Sequence, residues 1–317
     1  MKRVLIVKTS SLGDIVHNLP VASDIAAAFP GVAIDWVVEE SFAALPELHP
    51  AVKRTVPVAL RRWRKAWWLG ATAREARAFL KDLREERYDA ILDTQGLFKS
   101  ALVARAAKGP RYGLDWASSR EPLFLFYDRT FDVPRRQPAV ERNRILAARA
   151  LGYTPAPAVR YGIATASADH AWLPKARYAA LIHSTSAATK LWPEVHWSAL
   201  GVALGRRGIA AVLPWGTPAE KERSERLRDA IPGAVVPPRL SLAESAALLA
   251  NAACAAGVDT GLTHLAGALG VATVGIYTTT DPFLTGLYGC ARAVNLGGVG
   301  AAPGPDAVLG ELERLGA

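Results

Sequence analysis

Val4–Pro20 reads VLIVKTSSLGDIVHNLP: four apolar residues run into Lys8, a polar stretch Thr9-Ser10-Ser11-Leu12-Gly13-Asp14 follows, and a helix-like pattern begins. Strand, turn and helix in that order open a doubly wound α/β domain. A dinucleotide enzyme would carry G-x-G-x-x-G in this turn, so that its backbone could approach a pyrophosphate closely. Here the turn has a lone glycine, Gly13, followed by Asp14. The missing fingerprint argues against a nicotinamide-dependent oxidoreductase and raises the question of what Asp14 does.

The same alternation continues along the chain. Arg3–Lys8, Ala33–Val38 and Ala90–Asp93 read as strands ahead of polar turns; Ala179–His183, Ile209–Leu213, Ala253–Val258 and Thr273–Tyr277 do so in the second half. Segments of helical spacing lie between them, Glu75–Glu86 and Glu220–Ala230 among them. Short apolar strands alternating with helices predict parallel sheets covered on both faces. The pattern falters over residues 154–174, rich in Pro, Ala and small polar residues, which reads as a linker. The expectation is an α/β protein of two Rossmann-like doubly wound domains, 1–160 and 161–317. Its last stretch, about 306–317, is helical in pattern and able to pack on either domain.

A length of 317 residues agrees with two domains at roughly 100–200 residues each. Cys254 and Cys290 lie in apolar or Gly-rich surroundings, so a reducing compartment is expected and a disulfide framework is not. No window approaches the roughly 18–20 uncharged apolar residues of a membrane span. The first apolar run stops at Lys8, unlike a secretory signal, so a cytoplasmic protein is expected. The net charge of +9 points to acidic partners: nucleic acid, anionic lipid or phosphorylated metabolites.

Ligands of open parallel sheets bind beyond the carboxyl ends of the strands, so the post-strand loops are where chemistry is sought. GVDTGLTHLAGALG (Gly257–Gly270) presents Asp259, Thr260 and Gly261 at a helix start, where free amides and the helix dipole suit a phosphate. An N-capping Asp on an ordinary crossover helix is the commoner meaning of such a turn. HSTSAATKLWPEVHW (His183–Trp197) sets Lys190 in a hydroxyl-rich loop, a better phosphate candidate than a solvated surface lysine. LPWGTPAEKER (Leu213–Arg223) brings Glu220 near a helix start, as a dipole partner or as an acceptor for ribose hydroxyls. No Asp-x-Asp occurs, which argues against a metal-bridged sugar-nucleotide site of the kind that uses it. Arg61, Arg62, Arg64 and Lys65 interleave with Trp63, Trp67 and Trp68, a combination that suits anionic lipid headgroups better than nucleic acid.

Taken together, VKTSSLGDIVH (Val7–His17), DWVVEE (Asp35–Glu40), RRWRKAW (Arg61–Trp67), DTQGLFKSAL (Asp93–Leu102), DWASSREP (Asp115–Pro122), KLWPEVHW (Lys190–Trp197), LPWGTP (Leu213–Pro218) and VDTGLTHLAGAL (Val258–Leu269) resemble glycosyltransferase family 9, in its heptosyltransferase I branch. The resemblance covers nearly the whole chain. It implies the type-B glycosyltransferase fold, two Rossmann-like domains facing a cleft. It also implies inverting transfer of L-glycero-D-manno-heptose from ADP-heptose to the Kdo of a Kdo–lipid A acceptor at the cytoplasmic face of the inner membrane. No cofactor or metal is implied, and no nucleic-acid partner. The carboxyl-terminal domain would hold the donor through Thr185, Ser186, Lys190, Glu220, Asp259, Thr260, Gly261, Leu262 and His264. The amino-terminal domain would bind the acceptor through Ser10, Ser11, Gly13, Arg61, Arg62, Arg64, Lys65 and Arg120. Ser186 stands where a relative can carry Thr, and Leu191 where one can carry His.

Asp14 aligns with the catalytic base. Near a helix start its pKa should be low, leaving it ionised at neutral pH but a weak base toward an alcohol. It serves if the hydroxyl acidifies as the bond forms, which an oxocarbenium-like transition state allows. His17, one turn on, is the backup base. The rival readings are heptosyltransferase II, a sugar-nucleotide epimerase on the same fold, and a nucleic-acid binder.

Overall fold

The computed structural model describes residues 1–165 and 171–317. They form two compact units, Met1–Ala164 and Thr165–Ala317. Residues 166–170, part of the expected linker, lie outside the described residues.

The first unit runs β1 (Arg3–Val7), α1 (Leu12–Val16), α2 (Leu19–Ala28), β2 (Ala33–Glu39), α3 (Ala44–Glu47), β3 (Val52–Val58), α4 (Leu60–Lys65), α5 (Gly70–Leu83), β4 (Ala90–Asp93), α6 (Phe98–Ala106), β5 (Arg111–Leu114), β6 (Arg129–Phe131) and α7 (Ala139–Leu151). Its six strands lie in the order β3-β2-β1-β4-β5-β6, every pair parallel. Val4 pairs with Ile34 on one side and Ala90 on the other, so β1 is the buried centre of the sheet. Leu5, Val7, Val37, Val56 and Ile91 pack there against Phe79 and Leu83 of α5. The chain leaves β1 toward β2 and returns at β4 on the opposite side. The loops after β1 and β4 therefore diverge at the switch point, where such sheets bind ligands.

The second unit runs β7 (Tyr178–Ile182), α8 (Glu194–Gly205), β8 (Ala210–Val212), α9 (Pro218–Ala230), α10 (Leu242–Ala250), β9 (Cys254–Val258), α11 (Gly261–Ala268), β10 (Ala272–Tyr277), α12 (Pro282–Thr285), β11 (Ala293–Gly297) and α13 (Pro305–Arg314). Its parallel strands are ordered β11-β10-β9-β7-β8. A single parallel bridge, Val212 to Val235, adds a vestigial strand beyond β8. Counting it, the second sheet repeats the order of the first, with its switch point between β7 and β9. Trp192 and Trp197 meet edge to face at 4.9 Å in its core, beside Leu200 and Leu204 of α8 and Val308 and Leu312 of α13. The C-terminal helix is thus part of this second core.

Gly257 lets the switch-point strands close up. A Cβ there would stand 2.0 Å from Thr263 Oγ1 and 3.0 Å from Ile182 Cβ. Gly257→Ala should cost about 1–3 kcal/mol by forcing β7, β9 and α11 apart. A urea midpoint equal to wild type would contradict that packing.

Candidate functional site

Both switch points carry the side chains singled out in the sequence. In the first unit the chain after β1 is tied down by backbone donors. Thr9 and Ser10 N–H both donate to Gln95 Oε1 at 3.1 Å, and Lys99 Nζ donates to Ser10 Oγ at 2.9 Å. Asp14 lies in the first turn of α1, half-buried, and its Oδ2 accepts from Ser11 N–H at 2.7 Å and Ser11 Oγ at 2.8 Å. Burial alone would raise its pKa, but the Lys8 charge and the two Ser11 donors outweigh it and hold the carboxyl below the usual range. Asp14 is therefore an ionised carboxylate at neutral pH, as the sequence led us to expect.

Lys8 is itself buried, and its Nζ donates to Thr94 O at 2.7 Å. Burial lowers its pKa; Asp14 and Asp93 oppose that pull, while Arg142 and Arg120 reinforce it. Burial also lowers Arg142, with Arg120 and Arg135 as repelling neighbours. Among the described residues none of these three arginines forms an ion pair. Arg142 Nη2 donates to Ser118 O at 2.8 Å, and its Nε is buried without a hydrogen bond. A cluster of like charges without counterions is a site prepared for an anion. Arg120 was singled out from the sequence; Arg135 and Arg142 were not, because no motif links them to Lys8. His17, the backup base, is 4% exposed, and its carbonyl accepts from Asn143 Nδ2 at 3.2 Å. Its burial suits it to holding α1 in place.

The basic segment forms α4 and the turn into α5. Glu39, at the end of β2, accepts the Arg61 N–H at 2.9 Å and so fixes the start of the segment. Arg62 is engaged by Glu40 at 3.0 Å and Glu75 at 2.7 Å, and Arg61 stacks 5.2 Å over the Phe42 ring. Arg64 and Lys65 are exposed and, among the described residues, have no ion-pair partner. Arg62 is thus committed to its neighbours, which leaves Arg61, Arg64 and Lys65 for an outside anion.

In the second unit the loops after β7 and β9 are stitched together. Lys190 Nζ lies 2.7 Å from Asp259 Oδ2, and Thr185 Oγ1 donates to Asp259 O at 3.0 Å. Glu194, four residues on, pairs with Arg226, and Lys190 instead finds Asp259, 69 positions on. Thr280, on the loop after β10, donates to Asp259 Oδ2 at 2.8 Å, and His264 Nε2 stands 3.3 Å from Oδ1. Burial would raise the Asp259 carboxyl; the contacts from His264, Lys190 and Thr280 outweigh it and hold the pKa well below normal. Thr260 caps α11, and the first amides of that helix, at Gly261 and Leu262, have no carbonyl within it to bond.

A pocket of about 450 Å³ adjoins this cluster, lined by Ser184, Thr185, Ser186, Leu191, Glu220 and Arg223 among others. Glu220 takes the helix-capping role and also borders the pocket. Its Oε2 accepts Gly216 N–H at 2.7 Å and Thr217 N–H at 3.0 Å as half of a capping box, and the carboxylate lines the pocket. Arg223 reaches the pocket wall from α9 and donates to Trp192 O at 2.6 Å. It escaped sequence reading because it lies inside an ordinary charged helix. Among the described residues no group of three or more His, Cys, Asp or Glu is placed to hold a metal ion.

Residues 76–307 match glycosyltransferase family 9 (heptosyltransferase). The chain is 47% identical over 290 residues to lipopolysaccharide heptosyltransferase 1 of Escherichia coli K12, covering 90% of this chain and 91% of that one. Among solved structures it is similar to E. coli heptosyltransferase WaaC with ADP, at TM-score 0.91 and 42% identity over 99% of each chain. The same enzyme with ADP-2-deoxy-2-fluoro heptose gives 0.86 and 41%, over 98% and 99%. E. coli ADP-heptose lps heptosyltransferase II shares the fold at TM-score 0.77 and 20% identity, over 99% and 98%.

Proposed function

We propose, from the premise that the chain belongs to glycosyltransferase family 9, that it transfers L-glycero-D-manno-heptose from ADP-heptose to the Kdo of a Kdo–lipid A acceptor in lipopolysaccharide core synthesis. The observation that carries this reading is likeness to lipopolysaccharide heptosyltransferase 1 along nine tenths of the chain.

The second unit grips the donor. Lys190, Thr185, Ser186 and the amides at Thr260, Gly261 and Leu262 neutralise the pyrophosphate, Glu220 takes ribose hydroxyls, and Asp259 with His264 faces the heptose. The first unit binds the acceptor. Arg61, Arg64, Lys65 and Arg120, joined by Arg135 and Arg142, receive its carboxylate and phosphate groups, and Ser10, Ser11 and Gly13 shape the loop around the reacting hydroxyl. Asp14 takes the proton of that hydroxyl as it attacks the anomeric carbon on the face opposite ADP, inverting the centre. Positive charge developing on the sugar acidifies the attacking hydroxyl, so a weak carboxylate base suffices. Negative charge growing on the departing diphosphate meets Lys190 and fixed backbone dipoles already in place. The acceptor is lipid-anchored, so the enzyme works at the cytoplasmic face of the inner membrane. Among the described residues no helix is long and apolar enough to cross one.

Mixing purified protein, ADP-heptose and heptose-free Kdo–lipid A should yield a product heavier by one heptose. Extension only of an acceptor that already bears a heptose would overturn the reading in favour of heptosyltransferase II. An isomerised nucleotide sugar formed without acceptor would do so in favour of an epimerase.

A further inference from the structure

Most of the large apolar side chains left in solvent belong to the first unit, on or near loops that leave the carboxyl edge of its sheet. Two groups stand out, one on each side of the Asp14 loop in the strand order. Beyond β3, at the corner between α4 and α5, Trp67 and Trp68 are 74% and 65% exposed. Beyond β4 and β5, Phe98, Trp116, Phe124 and Leu125 are 54%, 64%, 41% and 76% exposed. The second group was not legible as a feature of the sequence.

This second group is built rather than loose. Phe98 meets Phe126 edge to face at 5.4 Å, and Trp116 meets Phe124 at 5.8 Å, two aromatic pairs joined into a strip by the turn Phe124–Phe126. Beneath it, Leu123 and Tyr127 pack with Ala101 in a core of their own, and Tyr127 OH donates to buried Asp93 at 2.8 Å. The short turn Phe124–Phe126 is anchored from below, where Phe126 packs on that core, and leaves Phe124 and Leu125 exposed. Contiguous apolar surface kept in water by an anchored frame marks a contact surface.

The charge around the two groups identifies what covers them. Arg120, next to the Glu121 that holds the Phe98 N–H, and Arg64 and Lys65, just ahead of Trp67, are exposed and, among the described residues, have no ion-pair partner. The nearby acids are engaged within the chain: Glu121 accepts the Phe98 N–H, Asp115 accepts the Ser118 N–H, and Glu40 and Glu75 hold Arg62. Apolar side chains rimmed by unpaired cations match a bilayer with anionic headgroups, with indoles at the interface and guanidiniums on phosphates. A second copy of this chain laid on the same patch would oppose cation to cation. The strip is also continuous with the proposed acceptor loop, since Lys99, next to Phe98, reaches Ser10.

We infer that the first unit seats itself on an anionic bilayer through two apolar footholds, Trp67–Trp68 and Phe98–Trp116–Phe124–Leu125, which flank the Asp14 loop. The inference rests on the reading above of a membrane-anchored acceptor and assigns the surface that meets that membrane. Flotation of the full-length protein with vesicles lacking any acceptor tests it. Vesicles of phosphatidylglycerol and phosphatidylcholine should carry the protein up, and vesicles of phosphatidylcholine alone should not. The pairs Phe124→Ser with Leu125→Ser, and Trp67→Ser with Trp68→Ser, should each weaken binding about fivefold or more, the four together abolishing it. Leu125→Trp should strengthen it, which keeps the test sharp if a double variant melts early. Heptosyl transfer to a soluble deacylated Kdo acceptor should stay at the wild-type rate in all of them. Equal binding to both vesicle types, unchanged binding in the variants, or a dimer that the same variants dissolve would overturn the inference. Vesicle binding without any transfer to Kdo–lipid A would instead sink the functional reading and leave the surface standing.

Discussion

Asp14→Asn should lower turnover by about 10²–10⁴-fold, the usual contribution of a positioned general base, with affinity for ADP-heptose retained. The amide oxygen can still accept from Ser11 N–H and Ser11 Oγ, now held at 2.7 and 2.8 Å, so the first turn of α1 keeps its shape. What is lost is the charge that would take the acceptor's proton. Donor affinity by calorimetry and turnover at saturating donor separate the two effects; turnover at the wild-type level would remove Asp14 from the chemistry. The pH profile adds an independent reading. The carboxyl is held below its ordinary value of 3.8, so Asp14 is ionised throughout the neutral range. Activity should be flat there and should fall only as pH drops through the depressed value. Stability follows the same sign. The folded pKa is lowered, so the group's contribution is present above the unfolded value near ~3.9 and is lost as pH falls through the folded one.

The central strands were readable because burial on both faces leaves them no alternative. RVLIV, AIDWVV and CAAGV are nearly continuous apolar runs, and each became an inner strand. The edges were not. β3 carries Lys53, Arg54 and Pro57, a composition tolerated only where one side of the strand has no ladder partner, and β5 and β6 are short and charged. The DWVVEE motif also divides on inspection. Asp35, at the start of β2, bonds Arg3 at 3.1 Å, Arg54 at 3.0 Å and Tyr88 OH at 3.1 Å, which is structural work at the end of the sheet away from the loops. Glu39, at the other end, positions the basic helix. Both kinds of residue sit in one motif, and only the strand's direction tells them apart. Site residues that arise from a loop meeting a distant loop have no spacing to betray them. Thr280 reaches Asp259, and Arg142 nears Lys8, only because parallel strands bring their carboxyl ends to one edge. Asp14, Lys190, Glu220 and Asp259 were legible as candidates because each lies in the loop after its own strand or in the first turn of the helix that follows it.

Lys190→Ala should raise the dissociation constant for ADP-heptose by about 10–100-fold, the worth of one or two charge-assisted hydrogen bonds to a phosphate. In the free protein this lysine is bound to Asp259, so the substitution has a second consequence that can be measured apart from the first. Asp259 would keep His264 and Thr280 as partners but lose its nearest cation. Lys190 is 30% exposed and solvent already screens the pair, so the stability cost should be about 1–2 kcal/mol, below that of a fully buried ion pair. With the cation gone, the Asp259 pKa should rise toward normal, and acid unfolding should begin at higher pH. Adding Asp259→Asn to Lys190→Ala removes the stranded charge. The double variant should regain stability, measured by urea unfolding, without regaining donor affinity. If instead the single variant lost stability while binding ADP-heptose as wild type does, Lys190 would be the partner of Asp259 alone and the diphosphate would have to be held by the amides of α11.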